Sequence, residues 1–163
     1  MSKLVYRSLT DEDREWVSQF IIEHWGADVV VAHQTLFLPA QLPGIKVESE
    51  GQVVGLITFQ VIGSSCEIIT IDSLQTGQGT GSKLIEMVKE VAIRAGCHRL
   101  WLVTTNNNIN AIRFYQKRGF RICAVHPDAV DYSRMIKPEI PLVDEKNGIP
   151  ILDELELEMI LTP

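Results

Sequence analysis

The stretch "QTGQGTGSK", residues 75–83, puts Gly77, Gly79 and Gly81 at every second position, directly after the apolar run "EIITIDSL" (67–74) and directly before "LIEMVKEVAIRAG" (84–96). The first flank reads as a strand. The second reads as a helix, because Leu84, Val88, Val91, Ala92 and Ala95 share one face and Gly96 supplies a stop. A helix start leaves its first backbone amides without partners inside the helix. Glycine there does two things: it takes positive φ without penalty, and it keeps side chains away from amides that an anion must approach. Residues 75–83 are therefore either an anion cradle or a plain glycine-rich turn. Of two other phosphate loops, the first has the wrong residue order and the second matches only weakly. A Walker loop needs Gly-Lys-Ser/Thr, whereas Gly81 is followed by Ser82 and then Lys83, and a dinucleotide fingerprint needs Gly-x-Gly-x-x-Gly.

Upstream, "GIKVESE" (44–50), "VVGLITFQVIG" (53–63) and "CEIITIDSL" (66–74) read as three strands of an antiparallel meander. "KLVYRSLT" (3–10) suits a first strand. Thr10 then caps a helix over "DEDREWVSQFIIEHWG" (11–26), with Val17, Phe20, Ile21 and His24 at helical spacing and Gly26 as its stop. "ADVVVAHQTLFLPAQLPG" (27–44) reads as half strand, half loop. Downstream come a buried strand, "HRLWLVTT" (98–105), a short helix in "NNNINAIRFYQKRG" (106–119) between asparagine caps and Gly119, and a strand, "FRICAVH" (120–126). Residues 127–150 carry Pro127, Pro138, Pro141 and Pro150 and read as an irregular excursion. The closing "ELELEMIL" (154–161) alternates as a half-buried strand with one wet face.

The chain has 163 residues, 45% of them hydrophobic, enough for one α/β domain over 1–163 with a single core. Its 21 acidic against 15 basic side chains, net −6, argue against a nucleic-acid partner. Neither a signal peptide nor an apolar run of membrane-spanning length is present, so no membrane is expected and the location reads as cytoplasmic. Cys66, Cys97 and Cys123 are odd in number and set in apolar sequence. They read as buried thiols with no metal-ligand spacing.

A second cluster stands about thirty residues beyond the glycines: Asn108, Ala111, Phe114 and Tyr115 in Asn-x-x-Ala-x-x-Phe/Leu-Tyr order. Together the two clusters resemble the GNAT superfamily of acetyl-CoA-dependent N-acetyltransferases, over about residues 50–125. Gly79 and Gly81 fill the glycine places of the family's first motif, while Thr76 stands where Arg or Gln is usual. The resemblance implies a mixed central sheet of about seven strands with helices on both faces. It also implies acetyl transfer from acetyl-CoA to an amine of a small molecule or peptide by direct transfer, without a metal. A non-catalytic coenzyme A sensor of the same fold is the alternative, and a homodimer stays open.

By this resemblance the coenzyme would meet Thr76, Gly77, Gln78, Gly79, Thr80, Gly81 and Ser82 with its diphosphate. Leu74, Asn108, Ala111 and Tyr115 would lie along its arm, in a gap between the strand ending near Leu74 and "RLWLVTT", and Lys117 and Arg118 could reach its terminal phosphate. The thioester carbonyl would face a backbone N–H among residues 71–74, and Tyr115 would serve the leaving sulfur as general acid. Asn108 also reads as a helix cap, Tyr115 as a core tyrosine, and Lys117 and Arg118 as a solvated basic helix end. Glu67, Asp72, His24 and His33 are the candidates for the general base. "EHWGADVVVAHQTLF" and "HPDAVDYSRMIKPEIP", with Tyr132, Arg134 and Lys137, are expected to line the acceptor side.

Overall fold

The computed structural model describes residues 3–75 and 77–162. Among them are β1 (Leu4–Ser8), α1 (Arg14–Trp25), β2 (Val30–Ala32), β3 (Thr35–Phe37), β4 (Gly44–Ser49), β5 (Gln52–Ile62) and β6 (Ser65–Ser73). After these come α2 (Thr80–Arg94), β7 (Arg99–Thr105), α3 (Ile109–Lys117), β8 (Arg121–His126), α4 (Ala129–Ile136) and β9 (Glu154–Ile160). Seven strands belong to one mixed sheet, and β2 and β3 form a ribbon of their own. This is the expected fold class. The chain divides into two compact units: one holds the residues up to Val30, Leu38–Leu100 and the tail from Ile160, the other Val31–Phe37 and Trp101–Met159.

In the first unit β1, β4, β5 and β6 pair antiparallel in that order, the meander read from the sequence. Residues 54–59 of β5 are all buried, and they are apolar except for Gly55 and Thr58. The β5–β6 register slips between Thr58 and Phe59, so Ile69 is an extra residue on β6 and bends the strand there. Leu84, Ile85, Val88 and Ala92 form the buried face of α2, each large side chain stabilising by about 1.5–3 kcal/mol. Ala95 is left exposed, because the helix already ends at Arg94. Gly55 is required for packing. A Cβ there would stand 2.9 Å from Thr80 Cγ2 and 3.2 Å from the Asp72 carbonyl oxygen.

At the head of α1 the Thr10 amide donates to Asp13 Oδ2 (2.8 Å), a bond that organises the 3-10 turn Asp11–Asp13 before the helix. Gly26, at φ +86°, ends α1 as expected.

In the second unit β9 lies between β7 and β8 and pairs antiparallel with β8. The excursion differs from its reading, because residues 129–136 form α4. The rest of it is tied down by side chains. Arg134 donates to the carbonyls of Ile140, Pro141 and Ile151, and Asn106 Oδ1 accepts the amides of Leu152 and Asp153. Arg134 therefore holds the loop rather than facing an acceptor. Two further expectations change. Cys123 is exposed, as the extra residue where the β8–β9 register slips, and Glu154 on the supposed wet face is buried, its carboxylate accepting the His33 amide (3.2 and 3.3 Å). No helix among the described residues is long and apolar enough to cross a membrane.

Candidate active site

The glycine turn closes β6 and opens α2. Gly77 and Gly79 have φ of +77° and +70°, and a Cβ at either would meet nothing within 4 Å, so backbone conformation rather than crowding calls for glycine. Gly79 is the N-cap of α2 and makes no side-chain cap bond. The Lys83 amide donates to the Gly79 carbonyl (3.0 Å), the bond that opens the helix ladder. The first turn carries no acidic residue. Thr80 is 1% exposed, and its Oγ1 is buried with no hydrogen-bond partner. Such an end, with its positive dipole pole and an unsatisfied hydroxyl, can accept an anion. Gln78 is exposed, Gly81 buried and Ser82 half-buried beside it, while Thr76 lies outside the described residues.

Just before the turn, β6 presents two kinds of backbone edge. The Leu74 amide donates to Val54 O (2.8 Å), so it is taken up by β5. Antiparallel alternation then sends the amides of Ile71 and Ser73 to the opposite edge of β6. Of the stretch expected to face a carbonyl oxygen, those two have the suitable direction, and Leu74 is left with a 47% exposed side chain to offer a ligand.

Asp72 sits at this same end of β6. The Trp25 indole N–H, on the last residue of α1, donates to both of its carboxylate oxygens (3.2 and 3.0 Å). Burial pushes the Asp72 carboxyl above the ordinary range, and the Trp25 bond and the nearby His24 charge only partly oppose it. The His24 ring stacks on Phe20 (4.1 Å between centroids), and its Nδ1–H donates to the Phe20 carbonyl (2.9 Å). Glu67 is also buried, but it pairs with Gln60 near the other end of β6. Six residues at about 3.3 Å each separate it from Ser73. The structure thus brings Asp72, His24 and the glycine turn to one end of the first unit and leaves Glu67 apart.

In the second unit α3 carries the other cluster. Asn108 is its N-cap residue but makes no side-chain cap bond; its Nδ2 donates instead to Thr104 Oγ1 (3.2 Å). Tyr115 is 7% exposed and stands edge-on to Phe114 and Phe120. Ala111 is half-buried and Lys117 exposed. Arg118 donates to the Phe114 carbonyl (2.8 Å) and stacks on the Phe114 ring (3.6 Å), which is the work of a helix end. His33 packs against Trp101 and Phe37, at the tip of the β2–β3 ribbon.

The model of the acetyltransferase (GNAT) family matches residues 6–120, a span that holds both clusters. The chain belongs to the GNAT acetyltransferase family. YdhI, an uncharacterized protein of Bacillus subtilis (strain 168), is 41% identical over 149 residues, which is 91% of this chain and 92% of YdhI. Two solved structures share the fold. One is an IAA acetyltransferase from Bacillus cereus ATCC 14579 (TM-score 0.73, 23% identity, 98% of this chain and 100% of that one). The other is a Bacillus subtilis acetyltransferase in complex with CoA (TM-score 0.66, 18% identity, 99% and 100%).

Within this acetyltransferase, sequence reasoning missed Trp25 and Gly55. Nothing local to Trp25 marks it, because its partner lies 47 positions away. Gly55 did carry a signal, since a glycine inside a strand marks close approach.

Proposed function

We propose that the chain transfers the acetyl group of acetyl-CoA to a nitrogen of an amine, on a small molecule or a peptide, as one domain acting in the cytoplasm. The observation that carries this reading is the opening of α2, where a left-handed glycine cap without a side-chain cap bond and the buried, unpartnered Thr80 hydroxyl meet with no acidic residue in the first turn. Those groups fit a diphosphate, and Gly77, Gln78, Gly79, Thr80, Gly81 and Ser82 would hold it, with Leu74 against the arm. Asn108, Ala111 and Lys117 would bind farther along the coenzyme. The family membership and the CoA-bound relative of the same fold support this assignment.

Acetyl-CoA supplies the acetyl group as a thioester, whose carbon–sulfur bond breaks as a carbon–nitrogen bond forms. The chain's part is to move protons and hold positions. Asp72, rather than the distant Glu67, takes the proton from the acceptor nitrogen, because its carboxyl is raised toward neutral pH by burial. The amides of Ile71 and Ser73 point away from β5, where an amide aimed at a carbonyl oxygen lowers a barrier by a few kcal/mol, about 3 in measured cases. Tyr115 holds a proton on its phenolic oxygen for the leaving sulfur.

The test is release of free CoA thiol from acetyl-CoA over a panel of polyamines, amino acids and peptides with free N-termini. Asp72→Asn should lower turnover by about 10²–10⁴-fold with coenzyme affinity kept, and Tyr115→Phe should lower it as well. Tight coenzyme binding with no turnover on any amine would instead support a sensing module.

A further inference from the structure

The indole N–H of Trp25 is shared between Oδ1 and Oδ2 of Asp72, at 3.2 and 3.0 Å, and joins the last residue of α1 to the end of β6. A carboxylate offers about four lone-pair sites, and a single donor placed between its oxygens occupies the inner two. No lysine or arginine pairs with Asp72 among the described residues, and His24 is the titratable group whose charge acts on it. Its neighbour in register on β5, Leu56, is apolar. A bond from a rigid aromatic ring fixes direction better than one from a flexible side chain, even for an exposed ring such as that of Trp25.

We infer that Trp25 is a positioning residue for the transfer: it clamps Asp72 through both carboxylate oxygens and leaves the outer lone pairs for the acceptor amine. This rests on Asp72 being the proton acceptor. The same bond favours the ionised carboxylate and so offsets part of the effect of burial. Without it Asp72 would stay protonated to higher pH and point less consistently. Loss of one hydrogen bond to a charged group corresponds to about a tenfold fall in turnover or more.

The clamp is read without any acceptor, from the indole N–H resonances of the ¹⁵N-labelled full chain, which has three tryptophans. The resonance lost in Trp25→Phe should move with pH about a midpoint above the ordinary aspartate value of ~3.9. It should lose that movement in Asp72→Asn and keep it in His24→Gln. An indole signal that ignores both pH and Asp72→Asn overturns the clamp. In the amine assay Trp25→Phe should lower kcat/KM about tenfold and shift its acidic limb to higher pH, with the acetyl-CoA Kd unchanged. An unmoved limb overturns the positioning role while leaving Asp72 in place. Full turnover by Asp72→Asn removes the base assignment, and the inference falls with it.

Discussion

Asp13 and Asp72 stand at opposite ends of α1 and are treated in opposite ways. Asp13 is 6% exposed, and burial alone would raise its carboxyl. The Thr10 amide, the Lys46 ammonium (3.0 Å) and Arg7 (3.3 Å) outweigh that and hold it below the ordinary range. Lys46 is matched in turn: burial would lower it, but Glu48 (2.9 Å) and Asp13 hold it above its ordinary value. Asp72 receives one indole bond and the charge of His24, and burial wins. One carboxylate is fully partnered and fixes the start of a helix. The other is kept under-partnered, a poor arrangement for stability and a good one for moving protons.

The contrast can be broken most strongly at Lys46. Lys46→Met strands a buried carboxylate and should cost about 3–5 kcal/mol in urea unfolding, with acetyl-CoA affinity recovered in the folded fraction. A change under 1 kcal/mol would make the Asp13 cluster a surface ornament. Gly55→Val acts on the other end only, since its first added atom already crowds Thr80 and the Asp72 carbonyl. A cost of about 1–3 kcal/mol is expected, together with weaker coenzyme binding, checked by unfolding and calorimetry side by side.

Acid titration sharpens the comparison further. The lowered Asp13 contributes stability that is complete above the unfolded aspartate value of ~3.9 and is lost as pH falls through its folded value. Asp13→Asn should therefore flatten the acid side of the stability curve. The raised Asp72 has the reverse sign: its favourable contribution is complete below the unfolded value and disappears as pH rises through the folded one. Asp72→Asn should accordingly be more stable than the parent at pH 7 and equal to it near pH 3. A destabilised variant at pH 7 would show that Asp72 belongs with Asp13 as a structural group.

Much of the fold could be read from the sequence, because local periodicity carried it. The β4–β6 meander, α2 and the Asn108–Tyr115 helix all declare themselves by spacing and by glycine stops. What failed was set by long-range partners. α4 hides among prolines in a stretch that looks unstructured until Arg134 binds three carbonyls of the following loop, 6, 7 and 17 positions on. Glu154 reads as a solvent-facing residue of an alternating strand, yet it is buried with its carboxylate on the His33 amide, 121 positions away. At the candidate site the glycines were legible, since only backbone matters there. The contact between the end of β6 and α1, which sets Asp72 apart from Glu67, was not, because Trp25 and Asp72 lie 47 positions apart.

The central claim is that the opening of α2 is left uncapped so that it can hold the diphosphate of the coenzyme. Gly79→Asp tests it directly by calorimetric titration with acetyl-CoA. Aspartate tolerates left-handed backbone better than most residues, so the fold should be kept at a modest cost in strain. Its carboxylate would stand at the opening of α2 and repel phosphate. Loss of acetyl-CoA binding in a stable, folded Gly79→Asp variant is the expected result, and unchanged affinity would contradict the account.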